Sequence, residues 1–134
     1  MAELTFFFDR CTGTGVPLVL QKAKPWFGIE YHDDKKNGFK QTTRDDEWLA
    51  EVAKKGWIVI SHDKRFHEDS LALEAVRQHR ARVFYMFGGS LPTWDKIRIF
   101  AQSFTRIEKL IATQRAPFIY TISQANRITR VAGI

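Results

Sequence analysis

The sequence contains a single cysteine, Cys11, in 134 residues. One thiol excludes a disulfide framework and a cysteine-rich zinc site. No apolar run approaches the ~20 residues that cross a bilayer. The apolar start at residues 4–8 is too short and wrongly flanked for a signal peptide. Internal repeats, low-complexity stretches and linker-like segments are lacking as well. Acid is scarcer than base, with 15 Asp and Glu against 21 Lys and Arg, a formal net charge of +6. That excess suits an anionic partner without identifying one. Hydrophobic residues make up 44% of the chain, with 11 Phe and 4 Trp, a composition that folds rather than one that stays disordered. The expectation is a soluble, cytoplasmic protein with no membrane association, forming one domain over residues 1–134.

Strand and helix patterns alternate. Residues 4–8 read as a buried strand ending at Asp9, and Thr12-Gly13-Thr14-Gly15 as a turn. Residues 16–24 suit a short helix with Pro17 in its first turn, and residues 27–31 a second strand. A polar loop follows to Arg44. A helix then opens at Asp45 or Asp46, stops at Gly56, and passes directly into a β-branched strand over 57–61. A helix over 70–80, a strand over 82–86, the longest helix over 93–113 and a strand over 117–122 complete the pattern. On the long helix, Trp94, Ile97, Phe100, Ala101, Phe104, Ile107 and Ile111 make one apolar stripe, with Lys96 off it. Trp26, Trp48, Trp57 and Trp94 sit at element boundaries, which reads as core packing before base stacking. The fold class is α/β, a three-layer arrangement with a mostly parallel sheet of about five strands and helices on both faces.

Topology gives the acidic residues a common address. Asp9 and Asp63 each follow a strand, and Asp45-Asp46-Glu47 opens the helix feeding the second of these strands. If the two strands are parallel neighbours, all three positions fall at the carboxyl edge, where α/β sheets bind ligands. Converging carboxylates repel unless a cation compensates them. An all-oxygen set without cysteine selects Mg²⁺ or Mn²⁺ over zinc, and phosphodiester hydrolysis is the matching chemistry. The bland reading is a turn-favouring Asp after each strand and an N-cap at Asp45 or Asp46.

Phe6-Phe7-Phe8-Asp9, Asp45-Asp46-Glu47-Trp48-Leu49 and Gly56-Trp57-Ile58-Val59-Ile60-Ser61-His62-Asp63, in that order, resemble the PIN-like ribonuclease superfamily, and most of all VapC-type toxins. The resemblance extends over nearly the whole chain. It implies a PIN-like domain and a metal-dependent endoribonuclease acting on RNA, often the toxin of a toxin–antitoxin pair held in check by an antitoxin protein. It places Asp9, Asp45 and Asp63 at metal-ligand positions, with Asp46 a rival to Asp45 and Ser61 a hydroxyl supporting the site. Arg65 stands where many relatives carry a further acid; Arg65, Lys64 and Arg10 are candidates for holding substrate phosphate.

Other features carry less. His62 and His67 flank Asp63 and read as loop polar groups, Cys11 as a small buried residue, and Gly13-x-Gly15 as a tight turn rather than a nucleotide loop. Lys54, Lys55, Lys64, Arg65, Arg80 and Arg82 are candidates for a basic rim around the acidic edge, with a solvated face as the plain alternative. Edge strands and the aromatic surplus permit a homodimer without requiring one. Two rival functions remain: a non-catalytic RNA-binding or regulatory module, motivated by Arg65, and a phospho-aspartate enzyme. The latter lacks a second acid two residues after Asp9, where Cys11 stands.

Overall fold

The computed structural model describes residues 4–62 and 70–134. One six-stranded sheet has the order β2-β1-β3-β4-β5-β6, built from β1 (Thr5–Phe8), β2 (Gly28–Tyr31), β3 (Ile58–Ser61), β4 (Arg82–Met86), β5 (Phe118–Ile122) and β6 (Ile128–Arg130). The first five pair in parallel, and β6 pairs antiparallel with β5. The helices are α1 (Gly15–Lys22), α2 (Asp45–Lys54), α3 (Ser70–His79) and α4 (Thr93–Thr113). The α/β class and mostly parallel sheet agree with the sequence pattern. The sixth strand is the addition: three residues too short to register as a periodic signal, folded back through the turn closed by Ser123 N–H to Arg127 O at 2.9 Å.

Successive side chains of a strand point to opposite faces, and both faces of the sheet are covered. Phe6 and Phe8 of β1, Ile58 and Ile60 of β3, and Phe84 and Met86 of β4 pack with Ile99, Phe100 and Ile107 of α4 and Val16 of α1. Phe7, Val59, Val83 and Ile119 face the other way, against Trp48, Leu49 and Val52 of α2 and Ala72, Ala75 and Val76 of α3. Strands buried on both sides read as continuous apolar runs, which is why they carry no alternation in the sequence.

Two helix faces differ from the pattern reading. On α3, where Leu71, Leu73, Ala75 and Val76 read from the sequence as the buried side, Ala72 is buried and Leu71 is 67% exposed. On α4, the buried side is Lys96, Ile99, Phe100, Ser103 and Ile107, whereas Ala101 is exposed and Trp94 is 73% exposed. Of the tryptophans, Trp48 is buried and Trp57 stacks on Phe7 at 6.0 Å, but Trp26 and Trp94 face solvent.

Candidate active site

The chain leaves β1, pairs β2 on one side and β3 on the other, so the strand order reverses between β1 and β3. Open α/β sheets place ligand crevices at the carboxyl end of such a switch point. Asp9 occupies it. Phe8 is in register with Ile60, so Asp9 stands level with Ser61, and alternation puts both on the α2/α3 side with Phe7 and Val59. Asp9 is 5% exposed. Its Oδ2 accepts from the Ser61 hydroxyl at 2.6 Å and its Oδ1 from the Cys11 amide at 2.9 Å. Its backbone N–H donates to Ile60 O at 3.0 Å, and it caps the 3-10 turn Arg10–Thr12. The carboxylate is thereby fixed from both oxygens before any ligand arrives. Cys11, expected to be buried, is exposed, because this turn runs over the sheet edge rather than into the core.

On the other face of the same edge lies a second group that the sequence reading passed over. The His62 ring, 6% exposed, meets the Thr12 hydroxyl through Nδ1 at 2.8 Å. Lys96 reaches over from α4 and donates to Thr12 O at 3.1 Å. Burial pushes the His62 imidazole down to about 4, and the Lys96 ammonium adds to the shift. Burial also lowers the Lys96 ammonium, opposed by the charges of Asp9 and Cys11. His62 Nε2 is buried without a hydrogen-bond partner among the described residues. His62 read as a loop residue, and Lys96 as a residue off the buried stripe; neither position carries a spacing signal, because their partner Thr12 is 50 and 84 residues away.

The α2 N-terminus supplies the third part of the edge. Its N-cap is Arg44, so neither Asp45 nor Asp46 serves that role. Asp46 takes both Nε and Nη2 of Arg44 at 3.1 Å. Asp45 instead accepts from the Trp48 indole N–H at 3.0 Å. Since Trp48 is buried against Phe7 with ring centroids 5.3 Å apart, Asp45 lies on the sheet-facing side of α2 and Asp46 on its flank. Both acids line a cleft of about 310 Å³ together with Arg10, residues 41–44, Leu71 and Ala72. Arg10 ties the turn after Asp9 to the cleft wall through Gln41 O, and Gln41 is held in turn by Asp33 at 2.8 Å. Asp63, Lys64 and Arg65 lie outside the described residues.

The basic rim is corrected by the topology. Lys54 and Lys55 end α2, Arg80 follows α3 and Arg82 begins β4, so all four sit at the amino edge of the sheet, opposite Asp9. Arg80 and Arg82 donate there to Ala116 O and Gly56 O, at 2.7 and 2.9 Å.

The sequence profile of a family described as PIN like domain matches residues 4–88, the stretch that runs from β1 past β4 and contains every acidic position above. The chain belongs to the PIN-like family. No curated protein and no solved structure matches it. PIN-like domains have a nuclease-type fold and typically bind metal. Among the described residues, no three His, Cys, Asp or Glu side chains gather as a cage. The donors that the PIN-like edge does present are oxygens, a buried Asp9 with a preset orientation and Asp45 at the cleft, and their chemistry fits a hard divalent cation. No helix among the described residues is long and apolar enough to cross a membrane.

Proposed function

We propose that the protein is a divalent-metal-dependent endoribonuclease that hydrolyses RNA phosphodiester bonds, and that it acts as the toxin of a toxin–antitoxin pair, with an antitoxin protein covering the cleft. The observation that carries this reading is Asp9, a carboxylate buried at the switch point of a PIN-like sheet and oriented by Ser61 and the Cys11 amide. These hydrogen bonds offset the cost of burying the carboxylate and hold it at the edge where open α/β sheets bind ligands. Asp9, Asp45 and Asp63 are the proposed ligands of Mg²⁺ or Mn²⁺. The bound ion would polarise the phosphate and acidify a water. Ser61 holds Asp9 in place. Asp45, fixed by Trp48, orients the attacking water. Arg10 holds phosphate at the cleft, with Lys64 and Arg65 in the same role.

The test is cleavage of an unstructured RNA by the full chain with Mg²⁺ or Mn²⁺. Asp9→Asn is expected to lower the rate by more than the about 10–100-fold that loss of a supporting group around a metal costs, and to weaken Mn²⁺ binding in parallel. A variant cleaving at the parental rate would remove the reading.

One observation favours a second reading, a non-catalytic RNA-binding module. Lys96 already brings a buried positive charge close to Asp9, which is where a metal would otherwise be needed. RNA binding indifferent to Mn²⁺, with no cleavage at any metal concentration, would establish that reading instead.

A further inference from the structure

The charge of the chain is unevenly divided along its length. Residues 1–95 hold 14 Lys and Arg and 14 Asp and Glu. Residues 96–134 hold seven Lys and Arg and a single acid, Glu108, so they carry the whole net charge of +6. This segment lies beyond residues 4–88, the part that the PIN-like profile matches. Two of its seven cations are engaged, Lys96 by Thr12 O and Arg98 by Asp95 at 3.9 Å. The other five, Arg106, Lys109, Arg115, Arg127 and Arg130, are exposed, and none forms an ion pair among the described residues. A one-sided excess of that kind suits a polyanion.

Folding gathers part of the excess into one place. Between α4 and the β5–β6 pair runs a groove of about 360 Å³, lined by Arg106, Lys109 and Leu110 of α4, Tyr120 of β5 and Ile128 of β6. Arg106 and Lys109 are three residues apart and share a helix face. Across the groove, Arg130 stands opposite Tyr120 in the β5–β6 ladder, with its guanidinium 5.6 Å from the ring centroid. It donates to the Tyr120 hydroxyl at 3.2 Å and to Gln114 Oε1 at 3.4 Å. Both partners are neutral, so they fix the guanidinium without cancelling its charge. None of the lining residues is acidic, and Leu110, Tyr120 and Ile128 leave an apolar surface between the cations.

Such a groove fits a nucleic-acid strand. The cations neutralise phosphates and release their condensed counterions, while the apolar lining accepts sugar and base. β5 stands three strand spacings from β1, about 14 Å across the sheet. Arg127, in the turn at the carboxyl end of β5, lies on the way. We propose that the α4–β6 groove is a phosphate-binding exosite, which holds part of the RNA away from the cut site. The inference rests on the reading of RNA as the substrate and gives that RNA a second foothold. An acidic protein segment would meet the same cations, but an RNA already held at the carboxyl edge needs only length to reach them.

Binding of a fluorescein-labelled RNA of about 16 nucleotides, within the site sizes of strand-binding domains, is measured by anisotropy from about 50 to about 200 mM salt. The full chain carries Asp9→Asn to prevent cleavage. Adding Arg106→Gln with Lys109→Gln is expected to make the salt slope shallower by about 1.4, at about 0.7 for each phosphate. Over that salt range the parent then loses about sevenfold more affinity than the double variant. Lys54→Gln with Lys55→Gln, the same charge removed from the amino edge, should keep the parental slope. The amide signals of Leu110 and Ile128 should move when the RNA is added to ¹⁵N-labelled protein. An unchanged slope without Arg106 and Lys109, an equal change without Lys54 and Lys55, or stationary Leu110 and Ile128 signals would each overturn the exosite. Displacement of the RNA from the groove by an oligoglutamate of equal charge would assign it to an acidic protein segment instead. Cleavage by the parent chain reports separately on the nuclease reading: cutting with an unchanged slope removes the exosite alone, and groove binding without cutting removes the nuclease alone.

Discussion

At the scale of single residues, the carboxyl edge is organised around buried charge. Asp9, His62 and Lys96 are all at most 9% exposed, yet they are not treated alike. Asp9 has two fixed donors, and Lys96 has the Thr12 carbonyl together with the attraction of Asp9. His62 faces Lys96 without an acid to balance it among the described residues, and its burial favours the neutral ring. The consequence for stability has a definite sign. The His62 ring titrates near 6.5 when unfolded and at about 4 when folded, so between those values the unfolded chain holds a proton that the folded chain does not. Its contribution is therefore complete above about pH 6.5 and is lost as pH falls toward 4. The loss amounts to about 3 kcal/mol, at 1.36 kcal/mol per pH unit. Urea melts of the wild type and of His62→Gln, both with chelator present, should converge by that amount on acidification, since the amide has no proton to gain. Curves that stay parallel from neutral pH to pH 4 would contradict the burial argument.

At the scale of elements, α4 shows what a pattern of apolar residues conveys and where it fails. Its existence and both of its ends were legible over 93–113, because a long segment of helical period free of glycine and proline has few alternatives. Its phase was not. A count of apolar residues selects Trp94 and Ala101 and rejects Lys96 and Ser103, yet the last two are buried. Each is satisfied by a distant partner, Lys96 by Thr12 O and Ser103 by Asn126 Nδ2, which donates to its hydroxyl at 2.7 Å. A polar side chain with such a partner costs little to bury, and the partner is invisible until the chain is folded. The same limit applies at the site: the order of Asp9, Asp45 and Ser61 along the chain was legible, but the different partners of Asp45 and Asp46, the Trp48 indole and the Arg44 guanidinium, were not. The observed phase has a measurable consequence. Ile99→Ala, at a fully buried position, should lower unfolding free energy by about 2–5 kcal/mol. Trp94→Ala should change it by no more than about 0.5 kcal/mol, as surface substitutions do. Equal losses in denaturant melts would restore the apolar stripe read from the sequence.

At the scale of the whole molecule, the basic residues behind the net charge of +6 include a group at each end of the sheet, with different partners. Lys54, Lys55, Arg80 and Arg82 gather at the amino edge, where Arg80 and Arg82 bond backbone carbonyls and Lys55 lies over the Trp57 ring at 4.7 Å. Arg10, Arg44 and Arg98 stand at or near the carboxyl edge with the acids. An RNA strand held across that edge displaces counterions from the phosphates it presents there, so its affinity should fall linearly with the logarithm of salt concentration, with a slope of about −0.7 for each phosphate neutralised. Arg10→Gln should make the slope shallower by about 0.7 and weaken binding uniformly over RNA sequences, as loss of a phosphate contact does. Substituting Lys54 and Lys55 together by Gln removes twice the charge and, being at the far edge, should leave the slope unchanged. Anisotropy titrations of a labelled single strand from about 50 to about 200 mM salt decide between local and global electrostatics. If the Lys54 and Lys55 pair reduces the slope more than Arg10 does, the strand is held by the net charge of the protein rather than by its carboxyl edge.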